Sequence, residues 1–183
     1  MYFFDLLLLI NNIIMKNKKN INIIPISLFC LIISFTIINI YIKNNFSFKL
    51  AEMHIFINKE TFLSISKKFS NTDKNAYLFM ALTLDILWPI TYSIFFYFIN
   101  AKVCKIKNDL RLANIIIFLL FTSDMIENFS TCKYLYTNKS SYIYISFIST
   151  NIKWLFFTLL TIYTTYKVLQ FLKQNPIKSL FYN

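Results

Sequence analysis

The chain of 183 residues contains no glycine, a single arginine at Arg111 and a single histidine at His54. Loops that cradle phosphate and folds that bind dinucleotides need glycine where the backbone approaches the ligand, so neither type of site is expected. One histidine is also too few for the HExxH zinc motif or for the paired Glu-x-x-His motifs of di-iron bundles. The sequence thus lacks the signatures of several common nucleotide and metal enzymes.

Cysteine is scarce as well, and its three positions are far apart. Cys30, Cys104 and Cys132 are isolated residues, and no Cys-x-x-Cys pair occurs. Neither a thioredoxin-like redox motif nor a cysteine metal cage is therefore indicated. We expect free thiols, predict no metal site and leave the identity of any cofactor open.

Apolar residues dominate what remains, since 57% of the chain is hydrophobic and 15% is charged. Such a composition is typical of an integral membrane protein. The net charge of +11 raises the alternative of nucleic-acid binding. The lysines, however, lie in short clusters beside apolar segments, and no nucleic-acid-binding module is recognisable. We therefore expect membrane lipid as a partner and no nucleic acid.

Four apolar segments approach the length of about 20 residues that a helix needs to cross a bilayer. They cover approximately residues 21–42, 76–99, 113–130 and 142–169. The predicted fold class is therefore all-α. We expect a membrane-embedded four-helix bundle that forms a single domain over residues 15–172, followed by a cytoplasmic tail over residues 173–183.

The distribution of lysine predicts how this bundle is oriented. Lysine clusters precede the first span, fill the loop between the second and third, and follow the fourth. Positive residues favour the cytoplasmic side, so we expect a multi-pass protein of the cell membrane with both termini in the cytoplasm. The long outer connection also carries lysines, which makes the asymmetry modest.

Residues 1–14 are apolar but too short to span a bilayer, and they lack the basic start of a signal peptide. Two interpretations stay open for this segment. Translation begins at Met15, ahead of a lysine cluster, so that the segment is not native, or residues 2–14 lie along the membrane interface.

The connection between the first two spans contains a second amphipathic pattern. Asn58 is placed to cap a short helix in which Phe62 and Ile65, continued by Phe69, recur on one face. We expect this outer helix to lie flat on the membrane or to roof the bundle.

Four charged residues interrupt the apolar segments: Asp85 in the second, Asp124 and Glu127 in the third, and Lys153 in the fourth. A charge at the bilayer centre costs roughly 2.5–3.5 kcal/mol on insertion scales, so such residues normally face the protein interior and find partners. At about 1.5 Å per residue, the four lie about 6–17 Å below the outer ends of their spans. We therefore predict that they meet in one layer.

Neighbouring residues extend this predicted cluster. Asn128 follows Asp124 by four residues, and Tyr92 shares a helix face with Asp85. Pro89 lacks the N–H that would bond the Asp85 carbonyl, so we predict a kink there with a freed carbonyl oxygen. Three acids against one lysine leave two uncompensated negative charges if all ionise. A proton, a metal ion or a cationic ligand must then supply the balance.

The chain resembles a family of uncharacterised small bacterial membrane proteins with four predicted spans. The resemblance covers about residues 15–170 and rests on motifs in three successive spans. These are Asp-x-x-x-x-Pro-x-x-Tyr (Asp85, Pro89, Tyr92), Asp-x-x-Glu-Asn (Asp124, Glu127, Asn128) and Lys-Trp (Lys153, Trp154). The resemblance implies the topology and the polar cluster but no reaction, because that family has no assigned activity.

Three hypotheses about function follow. The first is binding or transport of a proton, a cation or a small polar or lipid ligand, with six ligand-binding residues: Asp85, Tyr92, Asp124, Glu127, Asn128 and Lys153. The second is a structural or assembly subunit whose polar cluster only clamps helices and whose partner is another membrane protein. The third is a membrane-embedded lipid-modifying enzyme. The chain has no evident nucleophile with an activating base, so we leave open whether it is an enzyme and which residues would be catalytic.

Overall fold

The computed structural model describes residues 23–48, 50, 54, 57–104 and 106–174. Over these residues the regular structure consists of helices alone, as the sequence predicted. The six helices are α1 (Ile23–Asn45), α2 (Lys59–Ser66), α3 (Asn71–Leu82), α4 (Leu84–Val103), α5 (Lys107–Thr137) and α6 (Ser140–Gln174). The N-terminal segment with Met15 and most of the predicted tail lie outside the described residues.

Three helical stretches are long and apolar enough to cross a membrane: α1, α3 together with α4, and α6. Large apolar side chains cover their outer surfaces, where Phe29 on α1 is 63% exposed and Ile162 on α6 is 62% exposed. An extended apolar surface of this kind marks contact with lipid or with another protein. Helix α5 is not one of these three stretches, and its apolar segment contains Asp124, Glu127 and Asn128.

The helices extend beyond the apolar segments predicted from the sequence. Helix α5 spans Lys107–Thr137 and helix α6 spans Ser140–Gln174, so each begins before and ends after its apolar segment. Backbone hydrogen bonds continue through polar residues as readily as through apolar ones. Helix α5 stops only at Asn138, whose φ of 54° places it in the left-handed conformation typical of helix C-termini.

The second predicted span consists of two helices rather than one. Helix α3 ends at Leu82, Thr83 has φ −127° and ψ −74°, and α4 begins at Leu84. Helix α4 then passes through Pro89, so the interruption precedes the proline at which a kink was predicted. Asp85 consequently lies in the first turn of α4, where backbone N–H groups favour a negative charge.

Helix α2 covers one end of the bundle, which we call the roofed end. The Asn58 side chain accepts a hydrogen bond from the Thr61 N–H at 2.8 Å, as predicted for its cap. Phe62 and Ile65 pack against α6, where the rings of Phe62 and Phe147 are 5.9 Å apart. The short amphipathic helix is therefore present, and its apolar face is buried on the bundle.

Packing between the other helices leaves a cleft. Helices α5 and α6 form the most extensive pair, and α4 packs across α5. Helix α1 packs on α4, where the Ser34 and Thr91 hydroxyls are 3.0 Å apart. Within the described residues α1 has at most slight contact with α6, and the space between them is the cleft.

Polar clamps hold the helices together at the far end from α2. The Asn100 amide donates to the Thr164 hydroxyl at 2.8 Å, and the Lys167 ammonium lies 2.6 Å from the Asp109 carboxylate. None of these four residues lines the cleft. Polar pairs away from the cleft thus also connect helices of this bundle.

Candidate functional site

The six residues predicted as a ligand site come together beside the cleft. Helix α4 supplies Asp85 and Tyr92, α5 supplies the acidic face of Asp124, Glu127 and Asn128, and α6 supplies the lysine. Ion pairs, a hydrogen bond and close electrostatic contacts link the members of this group, which we call the carboxyl cluster: Asp85, Tyr92, Asp124, Glu127, Asn128 and Lys153.

Lys153 joins two of the three acids. Its Nζ lies 3.3 Å from Oδ1 of Asp124 and is also in contact with Oε2 of Glu127. Both carboxylates are only 1% exposed, whereas the lysine side chain is 14% exposed. Buried charges of this kind are tolerated only when paired, so the two ion pairs explain how both acids reside in the bundle.

Two hydroxyl groups donate hydrogen bonds to these acids. The Tyr92 hydroxyl donates to Oδ2 of Asp124 at 3.0 Å, and the Thr150 hydroxyl donates to Oε1 of Glu127 at 2.5 Å. Thr150 was not predicted as a site residue. Its position three residues before Lys153, on the polar stripe of α6, is the sequence signal that places it there.

Asp85 differs from the other two acids. No ion pair forms on its carboxylate in the part of the chain that the structure describes. Its charged neighbours are Asp124, Lys153 and Glu127, so it faces two acids and one lysine that is already engaged. Asp85 is thus the one acid of the cluster that has no ion-pair partner among the described residues.

Asn128 lies beside the Asp85 carboxyl group and is buried. Its side-chain amide interacts with the Asp85 carboxylate, which links α5 to α4. Asn128 is therefore a polar but uncharged neighbour of Asp85.

The cleft beside this cluster has a volume of about 420 Å³. This is within the range of small-molecule sites, which are mostly apolar with a few converging polar groups. The lining follows the same pattern, and it consists of Phe35, Ile38, Asn39, Ile42, Asp85, Trp88, Tyr92, Leu120, Asp124, Lys153, Trp154 and Phe157.

Aromatic rings form a continuous wall along the cleft. Consecutive ring centroids are 5.3 Å apart for Phe35 and Trp88, 5.9 Å for Trp88 and Tyr92, 6.4 Å for Tyr92 and Phe157, and 5.8 Å for Phe157 and Trp154. We call these five residues the aromatic wall. It runs from α1 across α4 to α6, so three helices must be in place to form it.

Helix α1 contributes a face that the sequence did not reveal. Phe35, Ile38, Asn39 and Ile42 recur at helical spacing and line the cleft. No charged residue marks this face, and asparagine is so frequent in the chain that Asn39 carries little signal by itself. The contribution of α1 becomes visible only from its packing on α4.

A second, much smaller void lies on the roofed side of Glu127. It has a volume of about 20 Å³ and is lined by Phe62, Ser66 and Thr131 as well as by Glu127. This is enough for one water molecule. Glu127 therefore separates this void from Lys153 and the cleft.

The acids are not arranged as a metal site. Among the described residues no three His, Cys, Asp or Glu side chains are grouped closely enough to hold a metal ion. Lys153 instead lies between the carboxylates of Asp124 and Glu127, and Asp85 lines the cleft without an ion pair.

Comparisons with known proteins do not identify the chain. No protein-family model matches it, and no significant match was found among curated proteins or solved structures. The resemblance to small four-span bacterial membrane proteins therefore stays a prediction.

Proposed function

We propose that the protein is a multi-pass membrane protein that binds a small ligand in the cleft between α1 and α6. In this proposal the carboxyl cluster exchanges a proton or a cation as the ligand enters and leaves. Helix α5 is the fourth crossing, both termini face the cytoplasm, and the chain belongs with the small four-span proteins that it resembles.

The observation that carries the proposal is that Asp85 has no ion-pair partner among the described residues. Its carboxylate lines the cleft and forms no ion pair with a described residue, while Lys153 is shared by Asp124 and Glu127. An ionised acid in a membrane is costly unless a proton or a cation compensates it. The cleft offers the space for such a partner.

The small void supports exchange of protons with one side of the membrane. A water molecule in it would contact Glu127, which in turn contacts Lys153 at the edge of the cleft. Glu127 and Lys153 thus form a relay of titratable groups between the roofed end and the ligand site.

The structural hypothesis has support of its own. Lys153 bridges α5 and α6, and Tyr92 extends the same network to α4. A helix clamp therefore accounts for Lys153, Asp124, Glu127 and Tyr92. It does not account for the cleft or for Asp85, which lines the cleft without an ion pair, and this is why we favour ligand binding.

Tryptophan fluorescence tests the proposal, because both tryptophans of the chain, Trp88 and Trp154, line the cleft. The purified protein is titrated with protons, with sodium and with potassium while the emission is recorded. We expect at least one titration to change the emission of the wild type and of Asp109→Asn, a control at the far end, but not of Asp85→Asn. If Asp85→Asn responds like the wild type in every titration, or if nothing responds, the proposal is wrong.

A further inference from the structure

The aromatic wall and Asp85, the acid without an ion pair, together indicate which class of ligand the cleft binds. We propose that the cleft binds a hydrophobic organic cation, that is, a singly charged ammonium-type or phosphonium-type ion that carries apolar groups. This inference rests on the proposed function, because it names the ligand of the same site.

The charges around the cleft favour a cation. Asp85 on α4 faces Asp124 and Glu127 from α5 and Lys153 from α6, and the lining face of α1 carries no charged residue. Lys153 already forms ion pairs with Asp124 and Glu127. One added positive charge beside Asp85 therefore meets a net negative surrounding, whereas an added anion meets repulsion.

The aromatic wall favours an organic cation over a hydrated metal ion. The faces of tryptophan and tyrosine rings attract cations, and Trp88 is both part of the wall and on the same face of α4 as Asp85. An inorganic cation needs several oxygen ligands converging on one point. No such convergence exists among the described acids, and most of the lining is apolar.

The lining of the cleft favours a free hydrophobic ion over a lipid headgroup. Apart from Asn39 and the charged residues Asp85, Asp124 and Lys153, the cleft is lined by aliphatic and aromatic side chains. Headgroups lie outside the hydrocarbon core, whereas a hydrophobic ion can enter it. Within the described residues α1 and α6 have at most slight contact, and the space between them is the entrance that this proposal assigns to the hydrophobic ion.

Two probes of equal size and opposite charge provide the test. The purified full chain in an uncharged detergent is dialysed against radiolabelled tetraphenylphosphonium or tetraphenylborate, and tryptophan emission is recorded in parallel. We expect saturable binding of tetraphenylphosphonium with a change in emission. We expect tetraphenylborate to bind at least tenfold more weakly.

Variants assign this binding to the cleft. We expect Asp85→Asn to weaken binding of tetraphenylphosphonium at least tenfold, since the substitution removes the charge and keeps the shape. Asp109→Asn removes an acid of the far end and should leave the affinity unchanged. Trp154→Leu keeps every charge of the cluster and should weaken binding severalfold, so the inference stays testable if Asp85→Asn fails to fold.

The outcomes separate this inference from the proposed function. Equal binding of the two probes, or unchanged affinity in both Asp85→Asn and Trp154→Leu, overturns the organic cation. The organic cation is also ruled out if the emission responds only to added phosphatidylethanolamine, or only to sodium or protons. If that response depends on Asp85, the proposed function still stands. If no probe gives a response that depends on Asp85, both are wrong.

Discussion

Lys153 on α6 holds its Nζ 3.3 Å from Oδ1 of Asp124 on α5, and the carboxylate is 1% exposed. The two residues are 29 positions apart in the chain and belong to the most extensive helix pair of the bundle. The same ammonium group contacts Glu127. The lysine is therefore committed to two acids, and the third acid, Asp85, is left facing the cleft.

Removing this lysine should be strongly destabilising. We expect Lys153→Met to lower the free energy of unfolding by about 3–5 kcal/mol at neutral pH, because two buried carboxylates lose their cation. Denaturant titration in mixed micelles measures the effect. Lys133→Met, at an exposed position of α5, is the control and should change stability by less than about 0.5 kcal/mol. Equal effects of the two substitutions would show that the ion pairs do not stabilise the bundle.

The hydroxyl of Tyr92 should make a smaller contribution. Tyr92→Phe removes only the hydrogen bond to Asp124, and we expect a loss of about 1–2 kcal/mol in the free energy of unfolding. Tyr136→Phe is the matched control, since Tyr136 is 82% exposed and should tolerate the change. A neutral effect of Tyr92→Phe would mean that water replaces the hydroxyl at Asp124.

Asp85 and Glu127 should respond differently to neutralisation. We expect Glu127→Gln to cost about 1–3 kcal/mol, because Lys153 loses one of its two partners. Asp85→Asn should change stability by less than about 1 kcal/mol, because no ion pair is lost and repulsion from the other acids is relieved. The same unfolding titration compares them. A larger loss for Asp85→Asn than for Glu127→Gln is the result that favours a purely structural cluster.

The crossing of the membrane by α5 can be tested by cysteine labelling. In a variant without Cys30, Cys104 and Cys132, a single cysteine replaces either Arg111 or Lys139, which are exposed near opposite ends of α5 and its following turn. We expect an impermeant maleimide to label Lys139→Cys on intact cells and Arg111→Cys only after lysis. Labelling of both from the same side would mean that α5 does not cross.

The cluster could be predicted from the sequence because charges inside apolar segments are costly and rare. Depth and helical spacing then suffice to bring Asp85, Asp124, Glu127 and Lys153 into one layer. The distribution of partners could not be predicted, since it depends on side-chain directions in three helices. Spacing alone treats all three acids alike, whereas the structure pairs two of them and leaves Asp85 at the cleft.

Two features of the fold had no adequate signal in the sequence. The helix is interrupted at Thr83, whereas Pro89 was the only recognisable breaker in that span. Helix α1 contributes Phe35 and Asn39 to the cleft, although no charged residue marks this face of α1. The contribution of α1 depends on its packing against α4, which is distant in the sequence.

The central claim is that Asp85 serves a ligand and not the fold. Thermal unfolding of the wild type and Asp85→Asn, each with and without tetraphenylphosphonium, tests this claim most directly. We predict that the two proteins melt at similar temperatures without the cation and that the cation stabilises only the wild type. Early melting of unliganded Asp85→Asn, or equal stabilisation of both proteins, would contradict the claim.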